Sequence, residues 1–151
     1  MPELIPQALS ADELEAAIRA EPGHLTADDF PVVHHFAPGV YMRELTMPAG
    51  LVVLGKIHKT EHLNLITQGR VSFTAGDGTV HHVEAPYTFV SKPGIQKMLY
   101  VHEATTWLTV HPTMETDLTK LEAELIAPHE NPLLTLIETV HALRGGSGEV
   151  A

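Results

Sequence analysis

Gly55-Lys56-Ile57-His58-Lys59-Thr60-Glu61-His62-Leu63-Asn64-Leu65-Ile66-Thr67-Gln68-Gly69 places two histidines, an acid and an amide between Leu51-Val52-Val53-Leu54 on one side and Arg70-Val71-Ser72-Phe73-Thr74 on the other. Both flanks are short apolar or alternating runs bounded by glycine, the pattern of strands and not of a helix. The histidines therefore sit at the end of one strand and the start of the next. In a β-barrel, those side chains are the donors a metal site would use.

The same pattern extends outward. From Val32 to His111 short β-type runs alternate with turn sequences: Gly39, Pro48-Ala49-Gly50, Gly69, Gly76-Asp77-Gly78, Ala85-Pro86, Lys92-Pro93-Gly94 and a polar stretch from Glu103 to Thr106. Strands so closely spaced, with no helix between them, indicate an antiparallel sandwich or barrel. The clearest hairpin joins Val71-Ser72-Phe73 to Val80-His81-His82-Val83 through Gly76-Asp77-Gly78, residues that tolerate positive φ. Helical periodicity appears only at the two ends. Ser10 and Glu13 form a capping box ahead of Leu14, Ala17 and Ile18, and Pro22-Gly23 ends that segment. Thr116 or Asp117 can cap a helix carrying Leu118, Leu121, Leu125 and Ile126, and Asn131-Pro132 opens a second with Leu133, Leu136, Ile137, Val140 and Leu143.

The 151 residues, 44% of them hydrophobic, fit one domain. A chain of this size buries roughly 70% of its unfolded surface and needs no covalent staples. The expected division is an N-terminal helical segment (1–30), a barrel (32–112), C-terminal helices (113–144) and a frayed tail (145–151). With no cysteine, any transition metal must be held by His, Asp, Glu or water. A net charge of −10 with nine Lys+Arg argues against a nucleic-acid surface. Met1-Pro2-Glu3-Leu4-Ile5 has no positive n-region, and no stretch approaches the roughly 20 apolar residues of a membrane span. A soluble, cytoplasmic protein is expected, with a small polar or anionic molecule as partner.

The order Pro48-x-Gly50, strand, histidine cluster, strand ending at Gly69, Gly-rich hairpin, Ala85-Pro86, Pro93-Gly94 and a closing strand pair resembles the cupin superfamily. Cupins are small jelly-roll-like β-barrels with a metal or ligand site inside. The resemblance covers residues 36–112, about half the chain, and implies an all-β core: an antiparallel barrel with an N-terminal helix and a C-terminal helical extension. The family's first motif sets two histidines ahead of a glutamate and a glycine, and its second sets a third histidine beyond Pro-x-Gly. Anchored on Gly69, the spacing puts His62 at the glutamate position, His58 at the second histidine and Lys56 at the first; with Gly94 in the second motif, Lys97 stands at the third histidine. The four ligands of the family thus correspond here to Lys56, His58, His62 and Lys97, and a protonated lysine offers no lone pair to a cation. The wording G-K-I-H-K-T-E-H-L-N, A-P-Y-T-F-V-S-K-P-G and T-V-H-P-T is also similar to small cupin-like proteins of tailed phages and bacterial genomes.

Two chemistries follow for the pocket. In the first, His58 and His62 share a divalent metal, Fe(II), Mn, Ni or Zn, with one more histidine or carboxylate and no organic cofactor. Oxygenase or isomerase/lyase chemistry would suit such an open site. His102 and His111 are the third-ligand candidates, His111 if Glu103 to Thr106 turns the chain back so that Trp107, Thr109 and His111 share a face. The pleat opposes His102: if Lys97 points inward, so do Leu99 and Val101, and His102 reaches the site only across a bulge. In the second, Lys56 and Lys97 with the histidines and Asn64 form a cationic pocket for a carboxylate, phosphate or sugar acid, with Tyr100 as a further donor. Against both stands the plainer possibility of a polar cluster in a barrel mouth, with the lysines snorkelling to the rim.

His58-x-x-Glu61-His62 also matches the inverted zinc-peptidase pattern, but that chemistry needs a helix where Ile57 and Leu63-Asn64-Leu65-Ile66 indicate strand. Glu61 is then a turn residue, or a carboxylate ligand or base beside the site. In His34-His35 and His81-His82, at most one member of each pair can face a cavity. His24, His129 and His141 read as surface, and Trp107 as core or interface. Open sheet edges favour a homodimer. A non-catalytic barrel acting as an assembly component, for instance in a phage particle, is the reading from a different class.

Overall fold

A computed structural model describes residues 13, 16, 20, 30–74, 79–127 and 134–136. Among these residues eight antiparallel strands run β1 (Val32–Ala37), β2 (Val40–Met47), β3 (Leu51–Leu54), β4 (His62–Thr74), β5 (Val80–Glu84), β6 (Tyr87–Ser91), β7 (Met98–Pro112) and β8 (Leu134–Leu136), and a helix, α1 (Leu118–Leu125), lies between β7 and β8.

Two long strands, β4 and β7, organise the molecule. They pair with each other from Leu63↔Val110 to Phe73↔Leu99, through register shifts between Ile66 and Val71. On one side of those shifts β1, β2 and β6 extend the sheet, giving the order β1-β2-β7-β4-β6. On the other, β8, β3 and β5 extend it, giving β8-β3-β7-β4-β5. Each long strand therefore passes through both faces of a rolled sandwich, the all-β barrel expected from the alternation.

The bend depends on Gly69, which has φ +93°. A Cβ there would lie 2.2 Å from the Ala104 carbonyl oxygen and 2.6 Å from Thr105 Oγ1, so only glycine lets the two strands approach at the bulge. Period-2 alternation then sends Leu51, Val53, Ile66, Val71, Phe73, Leu99, Val101 and Trp107 into the core. Burying these large apolar side chains is the main favourable contribution to the fold, about 1.5–3 kcal/mol for each.

Two expectations are corrected. Glu103 to Thr106 is not a turn: β7 runs unbroken for 15 residues, and the polar stretch marks the bulged crossing with β4. Leu134–Leu136, expected within a second C-terminal helix, is a strand paired with β3, because a short apolar run with a β-branched centre can satisfy an open sheet edge as readily as it can begin a helix. The rest of that segment, the tail, His24, His129, His141 and the Gly76-Asp77-Gly78 turn lie outside the described residues, although Thr74↔Val80 shows the hairpin's flanks paired. Of the N-terminal helix, residues 13, 16 and 20 are helical and exposed.

The first C-terminal helix forms as its sequence suggests. Asp117 caps α1 by accepting from the Lys120 amide at 3.1 Å, and Leu121 and Leu125, one turn apart, pack with Tyr41. Beyond the helix the chain is extended at Ile126, which bridges to His58, and Lys59 N and Ala127 N donate to Leu125 O and Ile57 O at 2.7 and 2.9 Å. The helix is thereby strapped to the segment that carries the histidines. Among the described residues no helix is long and apolar enough to cross a membrane.

Candidate metal centre

Three elements bring three histidines to one point. His62 opens β4 on its inward face, followed at period 2 by Asn64 and Ile66. His111 lies near the end of β7, opposite Tyr41 of β2. His58 sits in the connection between β3 and β4, held by its bridge to Ile126. Ring centroids are 4.2 Å apart for His58 and His62, 4.7 Å for His62 and His111, and 5.1 Å for His58 and His111. One ligand nitrogen from each lies within 4.8 Å of the others. Imidazoles bound at about 2.0–2.1 Å to a shared ion need closer nitrogens than that, so a small inward rotation of the rings would accompany binding.

The protonation of the cluster suits a cation. Burial above all, then repulsion from His62, His111, Lys97 and Arg43, lowers the His58 pKa to about 2. Burial and His62 bring His111 down to about 4. His62 is lowered by burial against the opposing effect of its hydrogen bond to the Thr60 carbonyl, 3.0 Å from Nδ1. That bond needs the proton on Nδ1 and leaves the Nε2 lone pair available. Nδ1 of His58 and Nδ1 of His111 are buried with no hydrogen-bond partner among the described residues.

The triad opens onto a cavity of about 540 Å³ beneath α1, within the size range of small-molecule sites. Arg43, Lys56, Lys97 and Glu122 supply its charges, and Val53, Leu99, Trp107 and Leu121 are among its apolar walls. Lys56 stands at this cavity, but its Nζ donates to Glu122 at 2.6 Å, so its charge is already matched. Lys97 is the more buried lysine, and burial brings its pKa down to about 8. Asn64 lines the cavity with both polar ends engaged: its amide donates to Ser91 Oγ at 2.8 Å, and its carbonyl accepts from Trp107 Nε1 at 3.0 Å. It orients the tryptophan and has little left to offer a ligand.

Three other candidates lie elsewhere. His102 is on the opposite face of β7, its Nε2 2.6 Å from Ser72 Oγ, as the pleat requires once Lys97 and Leu99 face the cavity. Tyr100 shares that face and packs edge-on to His102 with centroids 4.7 Å apart, away from the triad. Glu61 is exposed, paired with Lys92, and does not line the cavity. His58 and His62 stand in a bridge and a strand, so no helix presents them as a peptidase would.

Arg43 and Glu122 are additions. Arg43 alternates inward with Tyr41 and Leu45 on β2, and Glu122, next to Leu121 on α1, lines the cavity with its side chain still exposed. Alternation alone would have found the first, whereas the second needs knowledge of where α1 docks. Of the adjacent pair, His34 faces the cavity, its Nδ1 2.7 Å from the Tyr41 hydroxyl, while His35 faces outward to Glu44.

Solved structures place this architecture. The chain is similar to a variant of salicylate 1,2-dioxygenase from Pseudoaminobacter salicylatoxidans in complex with gentisate, with TM-score 0.54 and 11% identity over 79% of this chain and 35% of that one. It thus spans about a third of the dioxygenase's length. It is also similar to an RmlC-like cupin family protein with a double-stranded β-helix fold from Methanocaldococcus jannaschii (TM-score 0.47, 11% identity, 56% of this chain and 81% of that one). A cupin-2 domain containing protein from Shewanella frigidimarina matches at TM-score 0.45 and 10% identity, over 74% of this chain and 100% of that one. No protein-family model and no curated protein matches the sequence. At 11% identity the likeness to the dioxygenase is one of fold alone.

Proposed function

We propose that this cupin barrel holds a divalent metal ion through His58, His62 and His111 and acts on, or binds, a small polar molecule in the adjoining cavity. The observation that carries the proposal is the convergence of three neutral imidazoles in which two buried Nδ1 atoms have no hydrogen-bond partner among the described residues. A buried polar atom without a partner costs about 1–3 kcal/mol, and a shared cation would remove that cost at both rings. The donor set of imidazoles with room for further ligands suits Fe(II), Mn, Ni or Zn.

Such an ion, when bound, supplies a Lewis acid with open coordination positions, which fits oxygenase or isomerase/lyase chemistry. The protein's own groups supply the rest. The Thr60 carbonyl fixes the His62 ring and its tautomer. Apolar walls and α1 line the cavity around the triad, and Lys97, its pKa lowered to about 8 by burial, can exchange a proton near neutrality with a ligand beside it. The protein is further proposed to form a homodimer through the outer face of the β1-β2-β7-β4-β6 sheet, where the cross-strand pair Leu63 and Val90 is exposed.

Elemental analysis of tag-free protein tests the metal assignment, with His62→Ala as the comparison. Near-stoichiometric metal in the wild type and its loss in the folded variant are expected. No metal after incubation with Fe(II), Mn, Ni and Zn would overturn it.

A further inference from the structure

Among the described residues, the cavity lining holds more positive charge than it balances, and its one carboxylate, Glu122, is hydrogen-bonded to Lys56. Arg43 and Lys97 both line the cavity and are largely buried, and among the described residues neither has a carboxylate at ion-pairing distance. Glu122 acts on Arg43 from a distance, but among the described residues no acidic group acts on Lys97. What the Lys97 ammonium has instead is an aromatic face: it lies 5.9 Å from the Phe89 ring centroid, and Phe89 packs edge-on to Trp107 with centroids 5.7 Å apart. A buried ammonium without a counter-ion is expensive, and a cation–π contact offsets only part of that.

We propose that the cavity is built for a small organic carboxylate with an apolar body, its carboxylate anchored by Lys97, with Arg43 as a second positive group in the cavity that the triad also lines. Lys97, Arg43 and the three histidines line the same cavity, so an anion held at Lys97 would share that space with the triad. The walls define the remainder of the ligand. Val53, Leu99 and Trp107 continue from Lys97 as apolar surface, matching a hydrocarbon or aromatic body and not a sugar, whose hydroxyls would lose their hydrogen bonds there. The single ammonium with its aromatic backing also suits a carboxylate better than a phosphate, which calls for donors around three oxygens. The inference rests on the metal reading for what the anion meets, and on Lys97 and Arg43 alone for how the anion is held.

The test uses hexanoate, its neutral counterpart hexanamide and inorganic phosphate. Binding is measured calorimetrically and by the emission of Trp107, the chain's single tryptophan, with metal-free and Zn(II)-treated protein. The metal-free wild type is expected to prefer hexanoate to hexanamide by about tenfold or more, the scale of a charge-assisted hydrogen bond. Lys97→Met, which keeps the apolar stem, should abolish that preference; Arg43→Met should reduce it severalfold and Lys97→Arg should preserve it. Equal binding of acid and amide, no hexanoate binding at millimolar concentration, or phosphate binding tighter than hexanoate would each overturn the proposal. A preference that appears only with Zn(II) and survives Lys97→Met would also overturn it while leaving the metal site standing. A Lys97-dependent preference in a protein that binds no metal would support the carboxylate site and remove the metal reading.

Discussion

His58 and His111 face one another with ring planes 6° apart and centroids 5.1 Å apart, and in each the buried Nδ1 atom has no hydrogen-bond partner among the described residues. Parallel rings from a loop and a distant strand are a geometry that a shared ligand would stabilise. Zn(II) or Co(II) is expected to raise the thermal midpoint. At a hundredfold excess over the dissociation constant the gain should be about 2.7 kcal/mol. His58→Ala and His111→Ala should remove it, and His102→Ala, on the other face of β7, should leave it intact. A chelator-reversible shift seen equally in all four proteins would place the metal elsewhere.

The same two rings set an acid dependence in the metal-free protein. Their folded pKa values, about 2 for His58 and about 4 for His111, lie below the unfolded value of 6.5 because burial opposes charging. Below pH 6.5 the unfolded chain takes up protons that the folded chain refuses, so stability falls as pH drops from 6.5 towards 4, and the His58 contribution continues to fall below that. Above 6.5 both rings are neutral in either state and the contribution is flat. Urea melts across this range should show these two residues contributing about two protons near pH 5, reduced to about one in either single alanine variant. An unchanged slope in both variants would contradict the burial of neutral rings.

Much of this was legible in the chain and some was not, for reasons that can be named. Period-2 alternation put His62, Asn64 and Ile66 on one face, separated His34 from His35, and opposed His102 once Lys97 and Leu99 faced inward. Alternation is local, and strands obey it. Bulges and pairing are not local. Glu103 to Thr106 has the composition of a turn and is instead the crossing point of two bent strands, visible only with β4 alongside. Leu134–Leu136 is a strand because β3 presents an open edge to it. The pairing of Lys56 with Glu122 depends on where α1 docks, sixty-six positions away in sequence, so Lys56 looked as available to a ligand as Lys97.

Gly69→Ala is expected to be among the most damaging single changes in the barrel. The added methyl would meet the Ala104 carbonyl oxygen at 2.2 Å and the Ala104 carbonyl carbon at 2.8 Å, both backbone atoms that cannot rotate away, at a φ of +93° that alanine rarely adopts. A loss of roughly 2–4 kcal/mol in urea-induced unfolding should follow, with hydrogen exchange quickened along residues 66–71 and 101–106 where β4 and β7 cross. A loss below about 1 kcal/mol would mean that the crossing can relax, and that its close approach does not hold the bend.

Leu63 and Val90 form a cross-strand pair between β4 and β6 with side chains 50% and 52% exposed. Met42 and Val110 pair across β2 and β7, and Val110 also pairs with Leu63, so the registers carry one apolar row across four strands. Such a row on the outer face of a sheet is a surface that self-association would cover. Light scattering is expected to give a dimer for the wild type. Val90→Glu, which sets a charge into the row without touching the core, should raise the dissociation constant at least tenfold while the thermal midpoint of the monomer holds. A wild type that stays monomeric at high micromolar concentration would end the homodimer proposal, and the triad would stand unaffected, because His58, His62 and His111 all come from one chain and lie on the inner side of the same sheet.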